Sequence, residues 1–227
     1  MVGSSPASQD FSIIVPAAGV GSRMGADRPK QYLTLGGKTI LARTLDKLQQ
    51  LNPARLVVAI SPEDPYFDAT LYPDVERVDG GNTRVDSVLA GLERLDLRER
   101  DWVMVHDAVR PCVSIADVRR LLEGIADDPI GGLLAVPVMD TFKRVQKCRV
   151  RETLYRSELW LAHTPQVFRF GPLVEALQSL PGATDEASAI EAMGHKPHIV
   201  LGRSDNLKIT VHEDLALAAF ILAREGT

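Results

Sequence analysis

Short apolar runs along the chain alternate with segments in which apolar residues recur at helical spacing. Five runs have the length of a strand, at residues 11–17, 55–61, 75–78, 102–106 and 133–138. Strands that are buried on both faces read as continuous apolar runs, and helices between them imply parallel pairing. We therefore expect an α/β fold, with a Rossmann-like, mostly parallel sheet flanked by helices. The ligands of such sheets gather at the carboxyl ends of the strands.

Three of the intervening segments have clear helical patterns. One carries apolar residues along a single helical face, at Val85, Val88, Leu89, Leu92 and Leu95. A second is expected to begin after Ser114, whose hydroxyl can cap it, and to bury Val118 and Leu121. The third is expected to open at Thr210, with Glu213 three residues later completing a capping box.

Residues 140–156 break this alternation. They hold six basic and two acidic side chains, a local charge of +4. Their alternating character predicts a β-hairpin, with neither face apolar enough to enter a core. Two interpretations stay open: a solvated hairpin, or an arm over about 138–160 that projects and packs on a second subunit. An isolated hairpin is at best marginally stable in water, which favours the arm.

Composition narrows the class of protein. The chain has 227 residues, a mass of 24.8 kDa and a net charge of −4, which suits a single domain over 1–227. The acidic balance argues against binding to nucleic acid or to a membrane surface, since both need an excess of Lys and Arg. Residues 1–10 lack the features of a signal peptide, so we expect a flexible tail on a cytoplasmic protein. Cys112 and Cys148 fit free thiols better than a disulfide framework.

A glycine cluster follows the first apolar run, and three kinds of structure compete for it. A P-loop is excluded, because Gly25 is followed by Ala26 and Asp27 instead of Lys and then Ser or Thr. The dinucleotide fingerprint GxGxxG matches at its first two glycines, but its third position holds Met24. A plain tight turn between a strand and a helix also fits the glycines alone.

A triphosphate cradle explains more of the cluster. Small residues directly after a strand let backbone N–H groups turn toward a phosphate chain; here they are Ala17, Ala18, Gly19 and Gly21. Three basic residues then add charge that a tight turn does not need, namely Arg23, Arg28 and Lys30. Each close opposite charge contributes about 4 kcal/mol at an effective dielectric near 20, before desolvation costs. The cluster therefore favours an anionic ligand.

Seven stretches follow one another over nearly the whole chain: PAAGVGSRMGADRPKQYL, GGNTRVDSVLAGL, VHDAVRP, DTFKR, LWLAHTPQ, TDEAS and DNLKIT. Together they resemble the bacterial 2-C-methyl-D-erythritol 4-phosphate cytidylyltransferases of the non-mevalonate isoprenoid pathway. The resemblance implies a nucleotidyltransferase fold with a projecting β-arm, and an enzyme that transfers CMP from CTP to 2-C-methyl-D-erythritol 4-phosphate. Two alternatives remain, a ribitol 5-phosphate cytidylyltransferase and a nucleotide-binding module without catalysis.

The resemblance also implies roles for individual residues. The catalytic cations are Arg23, Lys30 and Lys208. The nucleotide is contacted by Pro16, Ala17, Ala18, Gly19, Gly21, Gly80, Gly81, Asn82 and Ser87. The polyol phosphate is contacted by Asp107, Arg110, Thr141, Arg156, Thr164 and Thr184. Thr141 and Arg156 would reach the substrate of the neighbouring subunit, which implies a homodimer with shared sites, and Thr184 could equally cap the helix that follows it.

The residues themselves suit a transfer without a general base. A phosphate monoester has a second pKa of about 6, so the attacking phosphate is already largely a dianion at neutral pH. Catalysis then reduces to alignment and charge neutralisation, which Lys30 and Lys208 can supply. Lys208 falls in residues 206–210, whose alternation predicts a further strand.

Asp107 directly follows the apolar run at 102–106. A carboxylate beside a triphosphate is repulsive unless a cation lies between them, so we expect Mg²⁺ shared by Asp107 and phosphate oxygens. The alternative is an aspartate that closes its own loop through a local hydrogen bond.

Overall fold

The computed structural model describes residues 10–19 and 28–225. The strands are β1 (Phe11–Pro16), β2 (Thr34–Leu35), β3 (Lys38–Thr39), β4 (Arg55–Ile60), β5 (Glu76–Asp79), β6 (Trp102–Val105), β7 (Gly131–Pro137), β8 (Phe142–Gln146), β9 (Arg149–Leu154), β10 (Trp160–Arg169) and β11 (His198–Leu201). The helices are α1 (Ile40–Gln49), α2 (Arg84–Arg94), α3 (Ile115–Gly124), α4 (Phe170–Ser179), α5 (Glu186–Ala192) and α6 (Glu213–Glu225).

A seven-stranded sheet in the order β11-β7-β10-β6-β1-β4-β5 organises the described part of the chain. β1 pairs parallel with β4 and β6, and parallel pairing also joins β4 to β5 and β7 to β11. β10 runs antiparallel between β6 and β7. The expected mostly parallel α/β sheet is confirmed, with one reversed strand that the apolar pattern did not indicate.

Successive residues of the central strands enter two different cores, one on each face of the sheet. On β1, Ile13 and Val15 pack in a cluster with α1 and α3. Ile14 faces the opposite cluster, which contains residues of α2, α4 and α5. Complete burial of a Val, Leu or Ile side chain stabilises the fold by about 1.5–3 kcal/mol. Burial on both faces is therefore why these strands read as unbroken apolar runs.

The five strands predicted from the apolar runs are confirmed, with ends that differ by one or two residues, and so are two of the predicted helices. α2 buries Val85, Val88 and Leu92 as expected. α3 begins after Ser114, whose side chain accepts a hydrogen bond from the backbone N–H of Asp117.

The predicted strand over residues 206–210 is wrong. The segment belongs to none of the sheet ladders, and Ile209 N–H donates to the carbonyl of Val109 at 2.9 Å. Ile209 is fully buried in a third apolar cluster that includes Ala218 and Ile221 of α6. Its alternation reflects packing against that cluster rather than pairing with another strand.

The capping box predicted for the last helix is also wrong. α6 begins at Glu213, and the carboxylate that reaches back belongs to Asp214. Asp214 Oδ2 accepts the backbone N–H groups of Thr210 at 2.7 Å and Val211 at 3.0 Å, and the Thr210 hydroxyl at 2.9 Å. The donors before a helix need an acceptor, and here the residue after Glu213 supplies it.

The β-hairpin predicted within residues 140–156 is confirmed as the antiparallel pair β8–β9, and almost all of its residues are exposed. At its base, Pro137 at the end of β7 pairs with Trp160 at the start of β10. Lys147 and Cys148 form its turn with φ of 47° and 60°. The role of this hairpin as a dimerisation arm, and the single domain over 1–227, stay predictions.

Cys112 and Cys148 are free thiols, as expected. Among the described helices, none combines the length and apolar character needed to cross a bilayer. The predicted tail over residues 1–10 lies outside the described residues except for Asp10.

Candidate active site

A cleft of about 300 Å³ opens where β1 and β6 end and α2 begins. Among the described residues, its lining consists of Pro16, Ala17, Ala18, Gly19, Lys30, Gln31, Gly81, Asn82, Thr83, Arg84, Ser87, Asp107, Ala108, Val109 and Lys208. The fold therefore gathers residues predicted from four separate motifs at the carboxyl edge of the parallel strands, where such sheets bind ligands.

The first wall of the cleft is the backbone that leaves β1. Gln31 is buried, and its Nε2 donates to the carbonyls of Ala17 at 2.7 Å and Gly19 at 3.0 Å. This one side chain joins the segment after β1 to the segment that carries Lys30. Gly21 and Arg23 lie outside the described residues.

The second wall is the turn between β5 and α2. A Cβ at Gly80 would lie 2.6 Å from Ala18 Cβ and 3.0 Å from Ser87 Oγ, so the two walls meet where only glycine fits. Thr83 and Asp86 form a capping box at the start of α2, and Ser87 Oγ donates to the Thr83 carbonyl at 3.0 Å. The backbone of residues 80–82 is thus held against the first wall.

Asp107 lies between three cations that come from different parts of the chain. Its Oδ1 is 3.2 Å from Arg84 Nε, and its Oδ2 is 2.8 Å from Lys208 Nζ and 3.5 Å from Arg110 Nε. Burial acts to raise the pKa of the Asp107 carboxyl, but the charges of Arg84, Lys208 and Arg110 outweigh burial and hold that pKa well below its usual range. Asp107 therefore carries its charge at any working pH and does more than close its own loop.

Lys30 and Lys208, the two predicted catalytic lysines, line the same cleft. Lys208 Nζ contacts Asp107, and Lys30 Nζ donates to the carbonyl of Ile209, the next residue, at 3.1 Å. Both ammonium groups belong to residues that line the cleft. Residues 178 positions apart in sequence thus supply positive charge to the same cleft.

Arg84 is bound from two sides. Besides its contact with Asp107, its Nη1 and Nη2 donate to Oε1 and Oε2 of Glu186 at 2.6 and 3.0 Å. Glu186 has no solvent exposure. Burial acts to lower the pKa of Arg84, but Glu186 and Asp107 raise it above its usual value, so Arg84 remains a cation.

A buried hydrogen-bond network fixes the loop behind Asp107. The Thr164 hydroxyl accepts the Asp107 backbone N–H at 3.0 Å and lies 3.2 Å from His106 Nδ1. His106 Nε2 lies 3.1 Å from the Arg110 carbonyl, which makes Nε2 the protonated nitrogen and Nδ1 the acceptor. Burial lowers the pKa of His106 to about 4, so this ring is neutral at physiological pH. Arg110 itself is buried and donates to the carbonyl of Asn206 at 2.7 Å.

Of the six residues predicted to contact the polyol phosphate, Asp107 alone is among the described residues that line the cleft. Arg110 and Thr164 are buried in contact with Asp107, whereas the other three are exposed. Thr141 and Arg156 are exposed at the base of the hairpin, where Arg156 donates to the Met139 carbonyl. Thr184 is exposed as well, and the alternative that it caps α5 is wrong: Asp185 is the cap, in a capping box with Ser188. Their contact with substrate stays a prediction.

Sequence reasoning missed Arg84, Glu186, Gln31 and His106. Arg84 had a usable signal, because a cation in the first turn of a helix opposes the helix dipole and needs another reason to be there. Glu186 had none, since an acidic residue in a first turn is ordinary and its partner Arg84 is 102 positions away.

The cleft has the donors for a divalent cation of the Mg²⁺ type. Asp107 is the one acidic side chain among the described residues that line it, and the part of the chain that the structure describes holds no cluster of three His, Cys, Asp or Glu residues for a protein-only site. Mg²⁺ is usually held by one or two carboxylates together with substrate phosphates. A single ionised carboxylate in the same cleft as the turn after β1 fits that pattern.

Comparison with known proteins gives a consistent result. The family model described as IspD, 2-C-methyl-D-erythritol 4-phosphate cytidylyltransferase, matches residues 11–224. The chain is 50% identical to the enzyme of that name from Vibrio atlanticus, over 95% of this chain and 97% of that one. It is 52% identical to the one from Pseudomonas paraeruginosa, over 90% and 93%. The crystal structure of the Francisella tularensis enzyme superposes with a TM-score of 0.81 at 38% identity, covering 93% of this chain and 99% of that one.

Proposed function

The chain belongs to the 2-C-methyl-D-erythritol 4-phosphate cytidylyltransferase family, and from this premise we propose how its cleft carries out the reaction. The enzyme transfers CMP from CTP to 2-C-methyl-D-erythritol 4-phosphate, giving 4-diphosphocytidyl-2-C-methyl-D-erythritol and pyrophosphate. Neither ribitol 5-phosphate transfer nor binding without catalysis is favoured, because the relatives that are about 50% identical carry the methylerythritol name.

The nucleotide lies between the two walls of the cleft. The N–H groups of Ala18, Gly19 and Gly21 hold the triphosphate, and Arg23 adds charge. Pro16 has no N–H, and Ala17 N–H donates to the Ala59 carbonyl at 2.7 Å, so these two residues only line the wall. Gly80, Gly81, Asn82 and Ser87 hold the cytosine. The close approach of Gly80 to Ala18 supports this division, since it fixes the separation of the two walls. Backbone amides and the Ser87 hydroxyl can distinguish the amino group of cytosine from the carbonyl of uracil.

Asp107 would hold a divalent cation of the Mg²⁺ type, which would supply charge neutralisation for the triphosphate. The low pKa of Asp107 supports this role, because the carboxylate needs no deprotonation before it takes a cation. Lys208, which pairs with Asp107 at 2.8 Å, supplies a further positive charge in the same cleft.

The phosphate of the second substrate attacks the α-phosphorus of CTP in line, and Lys30 and Lys208 stabilise the charge that develops. The observation that carries this proposal is that both lysines line the cleft that contains Asp107: Lys208 pairs with Asp107, and Lys30 donates to the carbonyl of Ile209. Positive charge held in place before the reaction is the main source of rate in phosphoryl and nucleotidyl transfer. Neutral, buried His106 takes no proton from the substrate; it holds the Asp107 loop.

Substrate recognition involves Arg110 and Thr164 from the cleft side and Thr184, Thr141 and Arg156 from outside it. The last two lie on the arm, and we assign them to the active site of a second subunit in a homodimer. Exposed apolar side chains on and beside the arm support an interface there, including Val145, Val150 and Tyr155. A cytoplasmic location is in keeping with two cysteines that form no disulfide.

One assay tests the function. Pyrophosphate release is measured with CTP, UTP and ATP in turn, each with methylerythritol 4-phosphate and with ribitol 5-phosphate. We expect release with CTP and methylerythritol 4-phosphate, and at least tenfold less with the other pairs, a difference of about 1.4 kcal/mol. Equal rates with ribitol 5-phosphate would contradict the proposed substrate.

The shared site is tested by complementation. Arg156→Ala and Lys208→Ala chains, each of low activity alone, are mixed under conditions in which subunits exchange. One of the two sites of a mixed dimer then combines an intact Arg156 with an intact Lys208, so part of the activity should return. If mixed dimers form and activity stays at the level of the separate variants, the arm does not serve the neighbouring site.

A further inference from the structure

Arg84 contacts two carboxylates, and it makes more hydrogen bonds with Glu186 than with Asp107. The parallel Nη1 and Nη2 contacts, the strongest that a guanidinium makes with a carboxylate, go to Glu186 at 2.6 and 3.0 Å. Asp107 receives only Nε, at 3.2 Å. Arg84 thus contacts both carboxylates, with two hydrogen bonds to the buried Glu186 and one to Asp107.

This pair does not serve the local stability of α2. Arg84 is the first residue of the helix, where a cation opposes the helix dipole. Glu186 is fully buried, and a buried carboxylate is costly unless it is paired. Arg84 nevertheless lines the cleft with about a quarter of its side chain exposed. At this position Arg84 also contacts Asp107, through its Nε at 3.2 Å.

We propose that Arg84 and Glu186 are positioning residues that set the affinity of Asp107 for a divalent cation. By holding the guanidinium fork, Glu186 prevents Arg84 from forming a two-pronged pair with Asp107 and leaves carboxylate lone pairs for the metal. Arg84 in turn fixes the orientation of the Asp107 side chain through Nε and adds positive charge for the nucleotide. This inference rests on the proposed binding of Mg²⁺ and CTP in the cleft.

The proposal predicts different effects for two substitutions: one weakens metal binding, and the other weakens metal-free nucleotide binding. A purely structural cross-link would not separate them. In Glu186→Gln, Arg84 is free to neutralise Asp107, so metal binding weakens while positive charge in the cleft is kept. In Arg84→Gln, the cleft loses a cation, so the nucleotide binds less tightly even without metal. A cross-link that only joined α5 to α2 would weaken both kinds of binding together, in step with the loss of thermal stability.

The experiment is calorimetric titration of the full chain with CTP, with and without Mg²⁺, alongside thermal melting. For Glu186→Gln, we expect the gain in CTP affinity from Mg²⁺ to fall about tenfold, with metal-free affinity changed less than twofold. For Arg84→Gln, we expect metal-free affinity to fall about tenfold. Glu76→Gln is the matched control: Glu76 also accepts a two-pronged arginine, Arg55, at 2.7 and 2.6 Å, but outside the cleft, so neither affinity should change.

Parallel changes in the two variants, or an unaltered response to Mg²⁺ in Glu186→Gln, would overturn the proposal. If Glu186→Gln fails to fold, Arg84→Lys carries the test. A lysine has one ammonium group and lacks the guanidinium fork that contacts both carboxylates, so this substitution should alter the Mg²⁺ response at least threefold. If that variant also fails to fold, or responds like the unaltered enzyme, the pair is structural and the proposal is wrong. Pyrophosphate release by the unaltered enzyme is measured in parallel, and its absence would count against the proposed function instead.

Discussion

Replacing Lys208 by methionine removes one charge from the cleft and keeps most of the side-chain volume. Lys208 Nζ lies 2.8 Å from Asp107 Oδ2. If it stabilises the transition state, its loss should cost about 2.7–4 kcal/mol, or a factor of 10² to 10³ in kcat. The KM for CTP should change far less, because the charge on the transferring group develops after binding.

The same structure predicts a small effect on stability. The Lys208 side chain is 41% exposed, so its ion pair is screened by solvent and contributes about 0–1 kcal/mol. Asp107 keeps Arg84 and Arg110 as partners. For a chain of this length, about 1 kcal/mol shifts Tm by roughly 2–4 °C. A large loss of rate should therefore accompany a nearly unchanged melting curve.

The assay is pyrophosphate release at saturating CTP, methylerythritol 4-phosphate and Mg²⁺, with thermal melting of the same preparation. Lys38→Met is the matched control, because Lys38 makes a similar ion pair with Asp46 at 2.5 Å on the surface, and it should retain normal turnover. A folded Lys208→Met enzyme with kcat within tenfold of the unaltered enzyme would refute the catalytic role. A fall in Tm of more than about 10 °C would show that the residue is needed mainly for the fold.

Three further predictions follow from the described geometry. Gly80→Ala would bring a Cβ within 2.6 Å of Ala18 Cβ, so CTP affinity measured by calorimetry should fall about tenfold or more; unchanged affinity would mean that the walls can separate freely. Cys148→Gly removes a side chain from a turn residue at φ 60° and should raise the free energy of unfolding by up to about 1 kcal/mol; a lower Tm would contradict it. The pKa of His106 is about 4 in the folded chain and about 6.5 when unfolded, so its stabilising contribution is complete above pH 6.5 and is lost as pH falls toward 4, by about 3 kcal/mol in total. Urea unfolding of His106→Gln should therefore depend less on pH over this range than that of the unaltered enzyme, and equal dependence would contradict the assignment.

Much of the fold could be predicted from sequence, because a strand that is buried on both faces of the sheet is apolar at nearly every position. β1 and β4 have no exposed side, so they read as unbroken apolar runs. The hairpin could be predicted because its alternation and its charge both differ from the rest of the chain. The prediction for residues 206–210 was wrong because a segment packed on an apolar cluster can alternate like a strand. Whether it pairs with another strand depends on residues far away in sequence.

Some residues of the candidate site could likewise be predicted from sequence, and others could not. The glycine turns and Lys30 could be predicted, because their chemistry is unusual for their place in the chain. Glu186 could not, because an acidic residue is ordinary at the start of a helix. Arg84 is unusual at the start of α2, but only the folded chain shows that Glu186 is its partner, at 2.6 Å. Capping is ambiguous at Asp185 and Asp214, since neighbouring residues could have served and the packing of each helix decides which one does.

The base of the arm has a consequence for how this enzyme could evolve. Pro137 and Trp160 are direct partners in the antiparallel pair β7–β10, so the whole arm is an insertion between two strand ends that already lie side by side. A short turn could join them without disturbing the sheet. Mutation can therefore lengthen, shorten or replace the arm with little effect on the folding of the catalytic sheet. In the homodimer proposed above, the contact between subunits would be made by a segment that can change separately from the sheet.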